Sequence, residues 1–190
     1  MVSLSDLAEV AGSHGAPLCG AARAEDLAGN REEIGKILPG ARSVVVLAAP
    51  HSRSALESRD VQVAQYDTVH AYDEAARASH AVARWLERKG HRAVAVPAFI
   101  PIDMAPPKHG MKGSVDWGDA GAKAGIGGYG ESGLLVTQRL GPAVRLGGVL
   151  TDAVIAPGDP LPETHCTRCN RCVEACPTGA LSGGGRFTRA

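Results

Sequence analysis

Aromatic side chains, net charge and long apolar runs are all scarce in this chain of 190 residues. Phe, Trp and Tyr make up only 4 % of it, and 20 basic residues balance 20 acidic ones. A formal net charge of zero gives no sign of a nucleic-acid surface or an acidic partner. No stretch reaches the roughly 18 apolar residues that a membrane-spanning helix needs. The first residues lack a charged segment followed by an apolar one, so no signal peptide is predicted.

The composition nevertheless supports a folded protein. Hydrophobic residues make up 44 % of the chain, enough for a real core. The length suits one domain with a small appendage. Four of the five cysteines lie within 11 residues. Clustered cysteines of this kind are typical of a reducing compartment, so we predict a cytoplasmic protein.

The cysteine run is the most informative motif. Cys166, Cys169, Cys172 and Cys176, the last followed by Pro177, have the spacing C-x2-C-x2-C-x3-C-P. This spacing is typical of ferredoxin-type iron–sulfur clusters, because three thiolates on a tight loop can bind three corners of a [4Fe–4S] cube. The polar pairs between the cysteines let the backbone turn and direct amides at sulfur. We therefore predict these four cysteines as cluster ligands and electron transfer as the theme of the protein.

Two alternatives concern the ligands. Structural zinc sites usually use two separated C-x2-C pairs, whereas all four thiols here form one run, so zinc is the weaker interpretation. In two-cluster ferredoxins the fourth cysteine of such a run binds the other cluster. Cys176 therefore either closes the same cube, serves a cluster shared with another chain, or is a remnant. Cys19 and His165 are weaker candidates for the fourth ligand, and Cys19 fits a buried free thiol better.

Hydrophobic periodicity predicts an α/β protein. The residues 43–49 are apolar on both faces, which indicates a strand in the middle of a sheet. Residues 97–130 are rich in Pro and Gly and carry few helix or strand signals. The other predicted elements are helices over 4–12, 25–38 and 69–89, and strands over 16–22, 91–96, 134–137 and 144–155, the last two being the final strands.

A glycine loop lies ahead of the cysteine run. Gly125, Gly127, Gly128 and Gly130, with Tyr129 between them, match G-x-G-x-x-G. A dinucleotide fingerprint requires a buried strand directly before it, and residues 119–124 look helical or looped instead. Four glycines in six residues allow close approach of the backbone to other backbone or to a flat cofactor.

The order of these features resembles that of a known family. The strand at residues 39–46 precedes a helix bearing Ala71, Tyr72 and Asp73, and the glycine loop precedes a Gly-x-x-x-Thr-Asp strand at residues 147–152. The cysteine run and the residues 177–180 close the series. Over residues 15–182 the chain resembles the epoxyqueuosine reductases and, more remotely, the corrinoid reductive dehalogenases.

The resemblance implies an architecture and cofactors. It implies a nitroreductase-like α+β sandwich domain over residues 1–156, and a linker with a ferredoxin-like [4Fe–4S] segment over residues 157–190. It implies cobalamin, with FMN as the alternative, beside the glycine loop. The Asp-x-Ala-Pro element of the reductases corresponds to Asp103 here, the expected proton donor, although a turn-capping aspartate is an equal interpretation. His109, in an apparent insertion over residues 107–118, is a further axial ligand or acid candidate, though an exposed loop histidine is the simpler view.

These features predict an iron–sulfur oxidoreductase that passes electrons from a [4Fe–4S] cluster to a cobalamin or flavin. A second cluster motif and a helical C-terminal extension are missing from the sequence, so we expect a substrate other than epoxyqueuosine. The alternative is a non-catalytic, ferredoxin-like electron-transfer subunit for a partner enzyme, and a zinc-stabilised interaction module is the weakest possibility. We expect a redox partner protein as electron donor and, by analogy alone, a homodimer.

Overall fold

The computed structural model describes residues 2–96, 113–161, 163–184 and 186–187. The predicted residues Asp103 and His109 lie outside these ranges. The helices are α1 (Leu4–Gly12), α2 (Arg31–Ile37), α3 (Arg53–Glu57), α4 (Val61–Arg88), α5 (Trp117–Lys123) and α6 (Arg171–Glu174). The strands are β1 (Leu18–Arg23), β2 (Ser43–Pro50), β3 (Ala93–Val96), β4 (Gly127–Tyr129), β5 (Leu135–Thr137), β6 (Val144–Thr151), β7 (Leu181–Gly183) and β8 (Arg186–Phe187).

The main sheet has four antiparallel strands in the order β1-β2-β6-β3. Strand β2 lies inside it, with Val45 opposite Ala21 on one side and opposite Val149 on the other. All residues of β2 except the terminal Pro50 are buried. The predicted central strand is therefore confirmed, and its apolar character on both faces follows from its position.

Each face of the sheet is covered by helices. Val45 and Leu47 point into a core formed with α1 and α4. Val44 and Val46, which alternate with them, point into a second core formed with α2 and α5. The alternation follows from the two-residue period of a strand. The mixed α/β architecture predicted from the sequence is confirmed.

Helix α4 begins eight residues before the predicted start at Val69. The Asp60 carboxylate caps it by accepting the backbone N–H groups of Gln62, at 2.8 Å, and of Val63. Its first buried residue is Ala71. The early turns therefore carry no buried apolar stripe, the signal on which the prediction depended.

The structure also differs from the helix predicted over residues 25–38. Two 3₁₀ turns, Ala24–Asp26 and Ala28–Asn30, precede the shorter α2. Leu27 between them is fully buried with a non-helical backbone (φ −88°, ψ 60°). The side chain is drawn into the second core, and this interrupts the helix.

The part of residues 97–130 that the structure describes is more regular than predicted. Helix α5 and strand β4 lie within it. Trp117 and Ala120 of α5 are buried against the sheet, which stabilises a helix whose Gly and Ala content gives a weak periodic signal. The strands predicted to be the last are also followed by the short β7–β8 hairpin. Across the described residues, none of the helices has the length and apolarity that crossing a membrane requires.

Candidate functional site

The glycine loop is held by a small hairpin. Strands β4 and β5 pair antiparallel, with Gly128 opposite Val136. Helix α5 leads directly into it, because the Ala124 N–H donates to the Ala120 carbonyl and Gly125 then adopts a left-handed backbone with φ +71°. Glycine adopts this conformation without strain, which ends the helix and starts the loop.

The glycines of this loop lie against the segment that carries the cysteines. A Cβ atom on Gly130 would lie 3.3 Å from the Cys166 Sγ, and one on Gly128 would lie 3.0 Å from the Cα of Thr164. At Gly125 it would overlap the carbonyl oxygen of Asp159. Of the two uses predicted for these glycines, the structure therefore shows close backbone packing. Their use in binding a cofactor stays a prediction.

Thr164 connects the glycine loop to the first cysteine. Its hydroxyl donates to the Gly128 carbonyl at 3.2 Å and accepts the Cys166 N–H at 3.2 Å. The sequence analysis missed this residue, because a threonine two positions before a cysteine run carries no periodic or motif signal.

A backbone amide also contacts the sulfur of Cys166. The Glu131 N–H donates to the Cys166 Sγ at 3.5 Å, and the Glu131 carboxylate lies 3.9 Å from the Arg168 Nε. Backbone amides that donate to a cysteine sulfur are one of the ways in which a protein sets the potential of an iron–sulfur cluster. The residue after the glycine loop thus supports the site from outside the cysteine run.

The cysteine loop itself is tightly turned. Arg168 and Asn170 have φ values of 54° and 59°, the left-handed region that non-glycine residues seldom adopt. Arg168 is the second residue of the first polar pair between the cysteines, and Asn170 is the first residue of the second pair. The turns allow successive cysteine side chains to leave the backbone in different directions, as a cube-shaped cluster requires.

Two of the thiols are predisposed to ionise. A backbone hydrogen bond from Leu181 and the Thr178 side chain lower the pKa of Cys176 to about 7. A backbone hydrogen bond from Arg171 and the side chain of Thr167 lower the pKa of Cys169. Hydrogen bonds to sulfur stabilise the thiolate and are a known influence on cluster potential.

The donor set fits a [4Fe–4S] cluster better than a single ion. Within the described residues, no three Cys, His, Asp or Glu side chains converge closely enough to hold one metal ion. The ligands of a cube each bind a different iron atom and do not need a common point. Cys166, Cys169, Cys172 and Cys176 would hold such a cluster.

Cys19 and His165, the weaker ligand candidates, line a separate cavity of about 230 Å³. Burial raises the pKa of the Cys19 thiol to about 12, so it stays protonated at neutral pH. Cys19 is half-buried in β1 and packs against the first core, so it agrees with the interpretation as a free thiol but is less buried than predicted.

An open cleft of about 690 Å³ lies between the glycine loop and the cysteine segment. Its lining includes Gly127, Gly128 and Tyr129 of the glycine loop, and Thr164, Cys166 and Arg168. The volume falls within the usual range for small-molecule sites.

Tyr129 is the polar group of the hairpin wall. Burial, followed by the charges of Asp116 and Asp119, raises the pKa of its phenol to about 12. Its hydroxyl lies so close to Gly118 that a Cβ there would be 2.7 Å away. The phenol is therefore a protonated hydrogen-bond donor at neutral pH.

Comparison with known proteins places this arrangement in a family. Residues 161–182 match the family described as 4Fe-4S binding domain, which supports a [4Fe–4S] cluster on this segment. The epoxyqueuosine reductase of Gloeobacter violaceus is 33 % identical over 156 residues, which cover 80 % of this chain and 44 % of the relative. The tetrachloroethene reductive dehalogenase of Dehalobacter restrictus is 26 % identical over 74 % of this chain and 24 % of its own.

This chain belongs to the iron–sulfur family of epoxyqueuosine reductase-like and reductive dehalogenase-like proteins. Solved structures from both branches share the fold. The epoxyqueuosine reductase from Bacillus subtilis superposes over 96 % of this chain with a TM-score of 0.64 and 18 % identity. A catabolic reductive dehalogenase in complex with 3-bromo-4-hydroxybenzoic acid superposes over 93 % with a TM-score of 0.73 and 20 % identity.

The shared region is a part of each relative. This chain spans 44 % of the Gloeobacter reductase, 54 % of the B. subtilis structure and 25 % of the dehalogenase structure. The resemblance found in the sequence is confirmed at the level of family and fold.

Proposed function

We propose that this protein is an iron–sulfur oxidoreductase that passes electrons from a [4Fe–4S] cluster to a cobalamin, with FMN as the alternative, for reduction of an unknown substrate. One observation carries the proposal. The cleft beside the glycine loop is bounded by Cys166, the first predicted cluster ligand. A cofactor in this cleft would lie next to the cluster, as electron transfer between them requires.

The cofactor would border Gly127, Gly128 and Tyr129. When bound, a corrinoid supplies one-electron chemistry at its cobalt, and the protein supplies binding and orientation. The protonated Tyr129 phenol would donate a hydrogen bond to a polar group of the ligand. A related dehalogenase structure is described with a mechanism for B12-dependent dehalogenation, which supports cobalamin over FMN.

Asp103 remains the proposed proton donor. The B. subtilis epoxyqueuosine reductase is described with an aspartate-bearing catalytic loop swung out of its active site. The corresponding Asp-x-Ala-Pro element here favours the same role. A carboxyl group acts as a general acid when its surroundings keep it protonated, so Asp103→Asn should abolish turnover without lowering cofactor binding.

A second function is an electron-transfer subunit for a partner enzyme. It is favoured by the match of residues 161–182 to a 4Fe-4S binding domain, since such a segment by itself can carry electrons. The α/β body argues against it, because a carrier needs little more than the cluster loop.

Several broader expectations belong to the same proposal. They are the nitroreductase-like character of the body, its division from the cysteine segment at residue 156, a cytoplasmic location, a redox partner protein as electron donor and a homodimer. The division is supported by burial, because no described residue between 156 and 184 is buried.

The test is anaerobic purification followed by absorbance spectra before and after addition of hydroxocobalamin and, separately, FMN. We expect the broad visible absorbance of an iron–sulfur cluster, saturable binding of cobalamin, and a change in the cobalamin spectrum on reduction. Gly128→Val, which places a side chain against Thr164, should weaken this binding, whereas Gly35→Ala, which contacts nothing within 4 Å, should not.

Either of two results would decide against the reductase. A cluster with neither cofactor bound would favour the electron-transfer subunit. Stoichiometric zinc without visible absorbance would favour an interaction module.

A further inference from the structure

A largely buried carboxylate lies next to the first cysteine of the run. The Glu131 side chain is only 13 % exposed. Its backbone is fixed by the turn that joins β4 to β5, in which the Gly133 N–H donates to the Gly130 carbonyl at 2.9 Å. The Glu131 N–H, in the same turn, donates to the Cys166 Sγ at 3.5 Å. The turn therefore fixes where this carboxylate lies relative to the cysteine run.

The Glu131 carboxylate lies between two parts of the cysteine segment. On one side its Oε1 is 3.9 Å from the Arg168 Nε. On the other side a Cβ atom on Gly183 of β7 would lie 3.7 Å from its Oε2. Strand β7 begins at Leu181, whose backbone makes a hydrogen bond with the Cys176 sulfur. The carboxylate is thus bordered by the loop after the first cysteine and by the strand that follows the last.

The two charges of this ion pair are screened unequally. The Arg168 side chain is 77 % exposed, against 13 % for Glu131. Water and salt screen an exposed charge far more than a buried one. An ion pair with so exposed a guanidinium is weak, so Arg168 neutralises the carboxylate incompletely. A net negative potential from this pair therefore acts on the cysteine ligands.

A negative charge beside an iron–sulfur cluster has a definite effect on its potential. One-electron reduction makes the cluster and its thiolates more negative by one charge, and the electron comes from an external donor. Net charge, hydrogen bonds to sulfur and solvent exposure together set the potential of a cluster. A fixed carboxylate disfavours the reduced form and so lowers the potential. The reduced cluster is then a stronger one-electron reductant.

We propose that Glu131 holds the potential of the cluster low, and that Arg168 acts in the opposite direction and raises it. Glu131 is a positioning residue in this role, since it acts on the cluster through space and through the Cys166 sulfur. The inference rests on the part of the proposed function that assigns a [4Fe–4S] cluster to the four cysteines. It depends neither on the identity of the cofactor nor on that of the substrate.

The test is a redox titration of the cluster-containing protein, with sodium dithionite as the reductant and the visible absorbance of the cluster as the readout. Glu131→Gln keeps the shape of the side chain and the backbone N–H but removes the charge. We expect it to raise the ratio of reduced to oxidised cluster at a fixed potential about tenfold, which for one electron is about 59 mV. Arg168→Gln should lower that ratio, by a smaller factor because its charge is exposed. Glu131→Asp, which keeps the charge, should have a potential close to that of the wild type.

A second arginine–glutamate pair provides the matched control. The Arg53 Nε lies 2.8 Å from the Glu57 Oε1 on α3, and both side chains are exposed. Glu57→Gln and Arg53→Gln should leave the potential unchanged. The opposite signs expected for Glu131→Gln and Arg168→Gln separate an electrostatic role from a structural one. A packing defect would lower the cluster content without moving the two potentials in opposite directions.

The inference is overturned if Glu131→Gln leaves the potential unchanged or lowers it, or if both variants move it in the same direction. Where Glu131→Gln does not retain a cluster, Arg168→Gln decides, and an unchanged or raised potential in that variant overturns the inference. Wild-type protein without cluster absorbance would overturn the proposed function as well. A cluster whose potential does not respond to either variant would overturn this inference alone.

Discussion

The α/β body and the cysteine segment are stabilised by different means. We define the body as residues 2–96 and 143–155, and the cysteine segment as residues 156–184. In the body, seven consecutive residues of β2 are buried. In the cysteine segment, no described residue is buried, and its regular structure is limited to the one-turn helix α6 and strand β7.

The difference indicates what each region needs in order to fold. Buried apolar surface is the dominant stabilising contribution for an ordinary domain, and the body has two cores that provide it. A segment without a core depends on metal ligation and on docking to its neighbour. Here the docking partner is the glycine loop, through Thr164 and Gly130.

Removing a cluster ligand should break the cysteine segment and spare the body. We expect Cys169→Ser to abolish the cluster absorbance and to make residues 156–184 rapidly cleavable by protease, while far-UV circular dichroism of the body persists. Ligation is the main source of order in that segment, so this is the largest effect. Cys19→Ala is the control and should retain the cluster. Cooperative loss of the whole fold in Cys169→Ser would contradict the comparison.

Truncating a core side chain should destabilise the body and leave the cluster in the cysteine segment intact. Leu47 is fully buried in β2, so Leu47→Ala should lower the free energy of unfolding by about 2–5 kcal/mol, measured by urea denaturation. The cluster content of the folded fraction should not change. Leu134→Ala, at a site 56 % exposed, should stay within about 0.5 kcal/mol of the wild type. A loss of cluster in step with the loss of stability would show that the two regions are one cooperative unit.

The contact between the two regions can be tested with one methyl group. On Gly130 a Cβ would lie 2.8 Å from a Val136 methyl and 3.3 Å from the Cys166 Sγ. Gly130→Ala should weaken the docking by about 1–3 kcal/mol, seen as faster loss of the cluster to a chelator. Gly35→Ala, in α2 with nothing within 4 Å, should instead stabilise the body by about 0.5–1 kcal/mol. Unchanged cluster release in Gly130→Ala would show that the glycine is not needed for docking.

The smallest expected effect concerns an ionic contact of the body. Burial raises the pKa of Asp152. Hydrogen bonds from the Arg92 side chain and backbone lower it by more than burial raises it, so the pKa lies below its ordinary value. A carboxyl group whose pKa is lower in the folded state stabilises the fold at pH values above its unfolded pKa of about 3.9. That stabilisation is lost as the pH falls through the folded-state pKa. Asp152→Asn should cost about 0.5 kcal/mol at pH 7 and nothing at pH 2, by urea denaturation. An equal cost at both pH values would assign the effect to packing.

Much of the body was predictable because burial leaves a local signature. The β2 strand and the α1 helix carry the apolar pattern of their final environment, and both were found from the sequence. The beginning of α4 was not, since none of its first ten residues is buried and no apolar stripe marks them. The interruption before α2 escaped prediction because it depends on where Leu27 is buried.

The candidate site likewise contains some residues that the sequence predicted and others that it did not. The four cysteines are recognisable because ligand spacing is a property of the chain itself. Thr164 and Glu131 are not, because each makes a hydrogen bond to a residue 36 or 35 positions away in the sequence, Thr164 to Gly128 and Glu131 to Cys166. Asp103 lies outside the described residues, and its role stays a prediction.

The sequence by itself determined the family, the cluster-binding run and the central strand, because spacing and hydrophobic pattern are encoded locally. Only the tertiary structure decided what the glycine loop contacts, which residues support Cys166, and that Arg145 lies against Tyr72. These are contacts between segments tens of residues apart. They arise when the sheet, its helices and the cysteine segment pack together, and no local pattern of residues specifies them.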